Sequence, residues 1–355
     1  MHHNLSPPHY GKDGMHKMKW LKKRWKVTLL SLVLVLIAGI GGYTWWLYDS
    51  LQGMNKGTEP TPFTNIKPVS NTEDPPAPEP PEWEGEERVN ILLLGADARG
   101  LEENEVPRSD TMLIASIDPK TKKATLMSIL RDTYIDIPDY GRDRANAALA
   151  VGGPYLAMRT LSEWTGLSIQ YYVYTDFQGF IKLIDALGGI EFEVEKDMYY
   201  TSKADGHEYD INLKKGLQLL DGESALQYVR FRHDALSDYS RTKRQRELLT
   251  AIANEMKSAW SLIQLPHLIN QISPYVDTNL SVDDMIKLGR LGMGLSMTPN
   301  LQLPPSELLR ETEVGSAQVL TVSDPEQLKQ YIQEAFTDTQ TTDSGSNQAS
   351  PSGSH

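Results

Sequence analysis

The chain has 355 residues, no cysteine, a hydrophobic fraction of 39% and a formal net charge of -12. Without cysteine there can be no disulfide framework, no thiolate metal site and no thiol catalysis. The acidic balance argues against a nucleic-acid binder, while length and apolar content allow one large domain or two small ones.

Residues 1–26 read as a basic tail, with Lys17, Lys19, Lys22, Lys23, Arg24 and Lys26 grouped at its end. Residues 27–48, VTLLSLVLVLIAGIGGYTWWLY, carry no charge and close on Trp45, Trp46 and Tyr48. A run of ~20 apolar residues spans a bilayer as a helix, and amphipathic rings settle at the interface. The basic side stays in the cytoplasm, so the expectation is a single-pass anchor with a cytoplasmic N-terminus and everything after it outside. The rival reading is a cleaved signal peptide. Against it, the run exceeds a typical signal core and no small-x-small cleavage site follows.

Residues 49–87, which include DPPAPEPPEWEGEE, read as an extended spacer rich in Pro and acid. Residues 88–336 are the expected folded domain, and the polar stretch 337–355 is an expected disordered tail. Within the domain, Val89–Leu94, Thr111–Ile117 and Ala124–Leu130 read as strands, the last two joined as a hairpin by DPKTKK. Pro154–Thr165 reads as a helix, Ile169–Tyr174 as a strand, Phe177–Leu187 as a helix and Ile190–Val194 as a strand, with Gly188-Gly189 as a turn. A short helix at Glu223–Leu226 is expected to run into a strand at Gln227–Arg232. Helices follow at Arg241–Trp260, Leu262–Ile272 and Val282–Gly292. The alternation predicts an α/β fold, a central mixed sheet covered by helices.

The residues that carry chemistry stand at predicted strand ends, where α/β sheets bind ligands. The first strand runs into Gly95-Ala96-Asp97-Ala98-Arg99. The second is entered through Arg108-Ser109-Asp110-Thr111, and the third leaves through Arg131-Asp132-Thr133. Asp97 and Asp110 can meet across neighbouring strands, where a shared hard cation such as Mg²⁺ relieves their repulsion. They also fit loop-capping acids with surface Arg partners. Arg230 and Arg232, two apart on a strand, point to one face and suit a diphosphate; as an exposed strand they equally suit acidic partners. Arg241, Arg244, Gln245 and Leu248 share a helical face near a helix start, either an anion site or a solvated charged face. RANAA reads as a loop leading to a helix, from which Arg144 and Asn146 could reach a ligand, a weak signal by itself. No H-x-x-x-H pair or Ser-His-Asp set favours a zinc or serine hydrolase.

The series LLLGADAR, RSDTM, SILRDTYIDIP, RANAALAVGG, YYVYTDFQGFIKLIDALGGI, LDGESALQYVRFR and SDYSRTKRQRE resembles the LytR-CpsA-Psr family, in the family's order, over about Arg88 to Leu249. The setting of basic tail, single span and outer domain resembles it too. The resemblance implies an α/β domain with a long apolar pocket for a polyprenyl chain. It implies transfer of a phosphoglycan, such as wall teichoic acid, from an undecaprenyl diphosphate carrier to peptidoglycan at the membrane of a Gram-positive cell. It places Mg²⁺ on Asp97 and Asp110, and the diphosphate among Arg99, Arg108, Arg131, Arg144, Arg230, Arg232, Arg241, Arg244 and Gln245. Catalysis falls to Arg131, Asp97 and Asp132, the last orienting an arginine or the acceptor. The family usually has Pro at the position of Leu130 and often Lys at that of Arg144; neither departure removes a ligand. Other roles that stay open are hydrolysis of the lipid carrier, a non-catalytic scaffold in wall assembly, and transcriptional regulation, which the outward topology opposes.

Overall fold

The computed structural model describes residues 35, 37–54, 63, 83–99, 105–201, 210–232 and 237–341. The chain divides into an N-terminal unit ending at Asp49 and a large unit beginning at Ser50. The described residues of the first unit are helical, with Val35, Ile37, Ile40, Trp45, Trp46 and Tyr48 exposed. Among the described residues no helix is long and apolar enough to cross a membrane; residues 27–34 and 36 of the anchor read from the sequence lie outside them. Most of the expected spacer also lies outside, but Trp83 is buried in the second unit, its indole N–H donating to the Glu87 carbonyl at 2.9 Å.

The second unit is built on strands β1 (Val89–Ala96), β2 (Ser109–Asp118) and β3 (Lys123–Ile129), an antiparallel meander at the centre of a seven-stranded sheet. β4 (Tyr134–Ile137) and β5 (Gly141–Arg144) form a hairpin, followed by helix α1 (Ala147–Thr165). α1 begins seven residues before the Pro154 start expected from the sequence, because its two helical pieces are joined through non-helical Gly152 and Gly153. β6 (Tyr171–Asp176) lies parallel to β1. The sheet is therefore mixed, as expected, and its buried strands read as apolar runs because both faces are covered.

Helix α2 (Phe177–Leu187) has the bounds expected from the sequence and ends at Gly188 and Gly189, both at positive φ (86° and 92°). After it come β7 (Ile190–Val194), β8 (Met198–Tyr200), β9 (Ile211–Leu213) and β10 (Gly216–Leu220), paired β7–β10 and β8–β9. Helix α3 (Gly222–Arg230) corrects the sequence reading, which had a strand at Gln227–Arg232. Asp221 caps it by accepting from the Ser224 N–H at 2.9 Å, and the buried residues Ala225, Leu226, Tyr228 and Val229 recur at helical spacing. Tertiary burial overrides the local β-like alternation of Tyr228 to Phe231.

Helix α4 (Ser237–Glu255) starts four residues earlier and ends five residues earlier than the Arg241–Trp260 helix expected, and a break separates it from α5 (Ala259–Ile272). The remaining elements are β11 (Val276–Thr278), α6 (Val282–Gly292), β12 (Ser296–Met297), β13 (Leu301–Leu303), the hairpin β14 (Leu309–Val314) and β15 (Ala317–Val322), and α7 (Pro325–Thr341). α7 carries helix past the expected boundary at residue 336. One core lies between the sheet, α1 and α7, a second under Trp83 and α6, and a third joins α2, α3, α4 and the small strands.

Gly222 lets α3 approach α2. A Cβ there would stand 2.5 Å from the Ile181 carbonyl oxygen and 2.8 Å from its Cα, both backbone atoms that cannot rotate away. Gly222→Ala is expected to cost about 1–3 kcal/mol, seen as a thermal midpoint several degrees lower. An unchanged midpoint would mean that the two helices can part freely.

Candidate active site

Because β1 and β3 run in the same direction and β2 against them, the end of β1, the start of β2 and the end of β3 share one edge of the sheet. The end of β6 and the N-terminus of α2 join them, the latter capped by Asp176 accepting from the Gly179 N–H at 2.8 Å. A cavity of about 360 Å³ opens there, lined by Asp97, Asp110, Thr111, Arg131, Phe177, Tyr200, Ile211, Val229, Arg230, Arg232, Arg241 and Gln245. Four guanidiniums face two carboxylates across this lining, which leaves it two positive charges in excess. The apolar or aromatic part of the lining, Phe177, Tyr200, Ile211 and Val229, comes from α2, α3, β8 and β9.

The β1–β2 register explains how Asp110 reaches the cavity. Gly95 stands opposite Thr111 and Ala96 opposite Ser109, so Asp110 is the extra residue of a β-bulge. Bulges interrupt the alternation of side chains and re-aim one of them. Arg131 Nη1 donates to Asp110 Oδ1 at 2.5 Å, and Arg232 Nη2 stands 3.9 Å from the same oxygen. Arg99 forks onto Asp97, Nε to Oδ1 and Nη2 to Oδ2, both at 2.7 Å. The Phe177 ring centroid lies 5.0 Å from the Arg99 guanidinium and 5.4 Å from that of Arg230. On α4, Gln245 Nε2 donates to Thr111 Oγ1 at 2.9 Å, and Arg241 is buried.

The remaining residues singled out by sequence divide in two. Asp132 sits between Arg131 Nε at 3.5 Å and Arg144 Nη1 at 3.3 Å, one step behind the lining. Arg108 is exposed beside the bulge and does not line the cavity. Arg244 does not line it either; its side chain is 1% exposed and turned into the protein. Sequence reasoning missed the apolar wall and Thr111. Phe177 did carry a signal, as the first helical residue after the capping Asp176.

Burial by itself would raise the Asp97 pKa. The hydrogen bonds from Arg99 and the charges of Arg99 and Arg230 outweigh it and hold the carboxyl below its usual range. A group with a depressed folded pKa stabilises the fold above its unfolded pKa, near 3.9, and loses that contribution as pH falls through the folded value. The stability gap between wild type and Asp97→Asn is therefore expected to be full at pH 6 and to shrink below about pH 4. Thermal melts across that range test it; a gap that widens toward acid would contradict the assignment.

Among the described residues no group of three or more His, Asp or Glu side chains is placed to hold a metal ion by itself. The pair Asp97 and Asp110 nevertheless suits Mg²⁺, which takes one or two carboxylates and completes its shell with phosphate oxygens and water. Asp97 and Asp110 both line the cavity, but Arg99 holds both Asp97 oxygens and Arg131 holds Asp110, so a cation shared with a phosphorylated ligand would have to draw these carboxylates from their arginines.

In an α/β domain, a cavity at the strand ends lined by several arginines is a place where an anionic ligand would bind. The chain belongs to the LytR_cpsA_psr family, which it matches over residues 52–326. It is 34% identical over 257 residues to the regulatory protein MsrR of Staphylococcus aureus, covering 70% of this chain and 75% of that one. It is 34% identical over 266 residues to the polyisoprenyl-teichoic acid–peptidoglycan teichoic acid transferase TagU of Enterococcus faecalis, covering 73% and 80%. Its fold superposes on that of the LytR-CPS2A-psr family protein YwtF (TagT), solved with bound octaprenyl pyrophosphate lipid, with a TM-score of 0.57. That alignment has 28% identity and covers 72% of this chain and 92% of that one.

Proposed function

We propose that the protein transfers a phosphoglycan, wall teichoic acid or a similar anionic polymer, from an undecaprenyl diphosphate carrier to peptidoglycan. The observation that carries the reading is the cavity itself, in which Arg131, Arg230, Arg232 and Arg241 converge with Asp97 and Asp110. Repeated guanidiniums fit the bidentate geometry of phosphate oxygens, which a solubilising lysine face would not need. The transferase name of TagU and the pyrophosphate lipid bound to TagT support it.

In this mechanism the diphosphate lies against the arginines with its prenyl chain leaving along apolar surface, where each buried CH₂ contributes ~0.8 kcal/mol. The cavity, about 360 Å³, receives the diphosphate end, and Phe177, Ile211 and Val229 begin the apolar path. A sugar hydroxyl of peptidoglycan attacks the glycan-linked phosphorus. A P–O bond forms to the acceptor as its hydroxyl proton is given up to solvent, the bridging P–O bond breaks, and polyprenyl phosphate leaves. Phosphoryl transfer asks mainly for positioning and charge neutralisation, so no protein nucleophile is needed. Arg131 neutralises charge on the transferred phosphoryl group, while Asp132 orients it from behind and links it to Arg144. Mg²⁺ bound through Asp97 and Asp110 would add further neutralisation of phosphate charge.

The same reading anchors the chain by residues 27–48 as a single span, N-terminus in the cytoplasm and domain outside, within reach of a membrane lipid and the wall. Native mass spectrometry of the full chain in detergent tests it. Co-purified or added polyprenyl diphosphate should bind, and Arg230→Ala should lose it. A protein that ignores the lipid with Mg²⁺ present would favour a scaffold. Protease digestion of whole protoplasts should remove the domain; full protection would refute the topology.

A further inference from the structure

We propose that Arg244 is a positioning residue that locks Arg230 and Arg232 into one paired geometry, and does not itself touch phosphate; the inference rests on reading the cavity as a diphosphate site. The two cavity arginines flank Phe231, where the chain leaves α3. Arg230 is the last helical residue, and Phe231 is already extended at φ -58° and ψ 129°. The Phe231 carbonyl lies beyond the helix and has no place in its ladder of hydrogen bonds. Arg244 supplies a donor. Its Nη2 donates to that carbonyl, and its Nη1 donates to Glu195 Oε1 at 3.1 Å.

The ring of the same residue is held as well. The Arg244 guanidinium stands 5.5 Å from the Phe231 ring centroid, and Lys196 Nζ stands 5.5 Å from it too. Residue 231 is thus gripped through its backbone and its side chain, between two residues that line the cavity. A guanidinium does this because its donors form a rigid fork; an ammonium is a point charge. Glu195 is one partner of this guanidinium, whose side chain is 1% exposed, and a charge so buried needs pairing. Helical spacing puts Arg244 beside Arg241 and Gln245, yet only those two line the cavity.

Ligand and positioning roles differ in sign at Glu195. If Arg244 bound phosphate, Glu195→Gln would remove a competing negative charge and tighten binding. If Arg244 positions the pair, the same change loosens its grip on Phe231 and weakens binding. The test uses the full chain in detergent as wild type, Glu195→Gln and Arg244→Lys. Amide hydrogen exchange is read for peptides spanning Tyr228 to Arg232, and binding is titrated with geranylgeranyl diphosphate and its monophosphate. Both variants should exchange faster in that segment and lose about tenfold in diphosphate affinity, with a smaller loss for the monophosphate, at a thermal midpoint close to wild type for Glu195→Gln. Unchanged exchange, tighter binding in Glu195→Gln, or equal losses for both ligands would overturn the proposal. Faster exchange in a protein whose wild type ignores the diphosphate would uphold the positioning of the pair and refute the diphosphate reading instead.

Discussion

Arg131→Ala is expected to lower glycan transfer by on the order of 10³-fold, mostly in kcat, since an arginine that neutralises a transferring phosphoryl group contributes about that much. The geometry gives three reasons for so large an effect. Arg131 lines the cavity and holds Asp110 at 2.5 Å, so its loss removes a positive charge and exposes a negative one beside the diphosphate. Arg232, 3.9 Å from Asp110, is too far to replace it fully. Asp132 would lose one of its two arginine partners and keep only Arg144, leaving its charge less compensated beside the cavity. Arg131→Lys should recover only part of the rate, because a point charge cannot serve carboxylate and phosphate together. Single-turnover transfer, with a thermal melt to verify folding, tests this; a variant within threefold of wild type would place the reacting phosphorus elsewhere.

The double variant Arg230→Ala, Arg232→Ala is expected to act on binding. Each hydrogen bond to a charged group contributes about 1.5–3 kcal/mol, so losing two should raise the Kd for a polyprenyl diphosphate by roughly 10²–10⁴-fold. Arg230 also lies 5.4 Å from the Phe177 ring centroid, so its stem helps shape the apolar wall. Monophosphate binding should suffer less, since a single phosphate can use only part of what two guanidiniums offer a diphosphate. Equal losses for both ligands would show that the pair supplies general positive potential without specific geometry.

How much of this was legible in the sequence differs residue by residue. Asp97, Asp110 and Arg131 stood out because strand ends of an α/β sheet gather at one edge; the hairpin pattern implied that the second and third strands run oppositely, and the structure adds the first strand antiparallel to the second. The bulge that turns Asp110 into the cavity was not legible, since nothing in RSDTM says which residue loses its partner. The pair Arg230 and Arg232 was found through a wrong local structure. Val229 and Phe231 alternate with them as in a strand, while burial of Ala225, Leu226, Tyr228 and Val229 makes the segment helical up to Arg230. Arg244 was placed with its neighbours because helical periodicity cannot separate a cavity-facing from a core-facing side of one helix. The apolar wall draws on Phe177, Tyr200, Ile211 and Val229, which only the tertiary fold brings together. α7 had a signal, the buried pair Leu328 and Ile332 at i, i+4 in EQLKQYIQEAF.

The central claim is phosphoglycan transfer at this cavity. The most direct measurement incubates the full chain in detergent with a polyprenyl diphosphate-linked teichoic acid precursor, labelled in the glycan, together with peptidoglycan and Mg²⁺. Label is expected in the peptidoglycan, with one polyprenyl monophosphate released per glycan transferred, and neither with Arg131→Ala. Label appearing only as free glycan phosphate would make the protein a hydrolase, and intact precursor with wild-type protein would contradict the enzymatic account altogether.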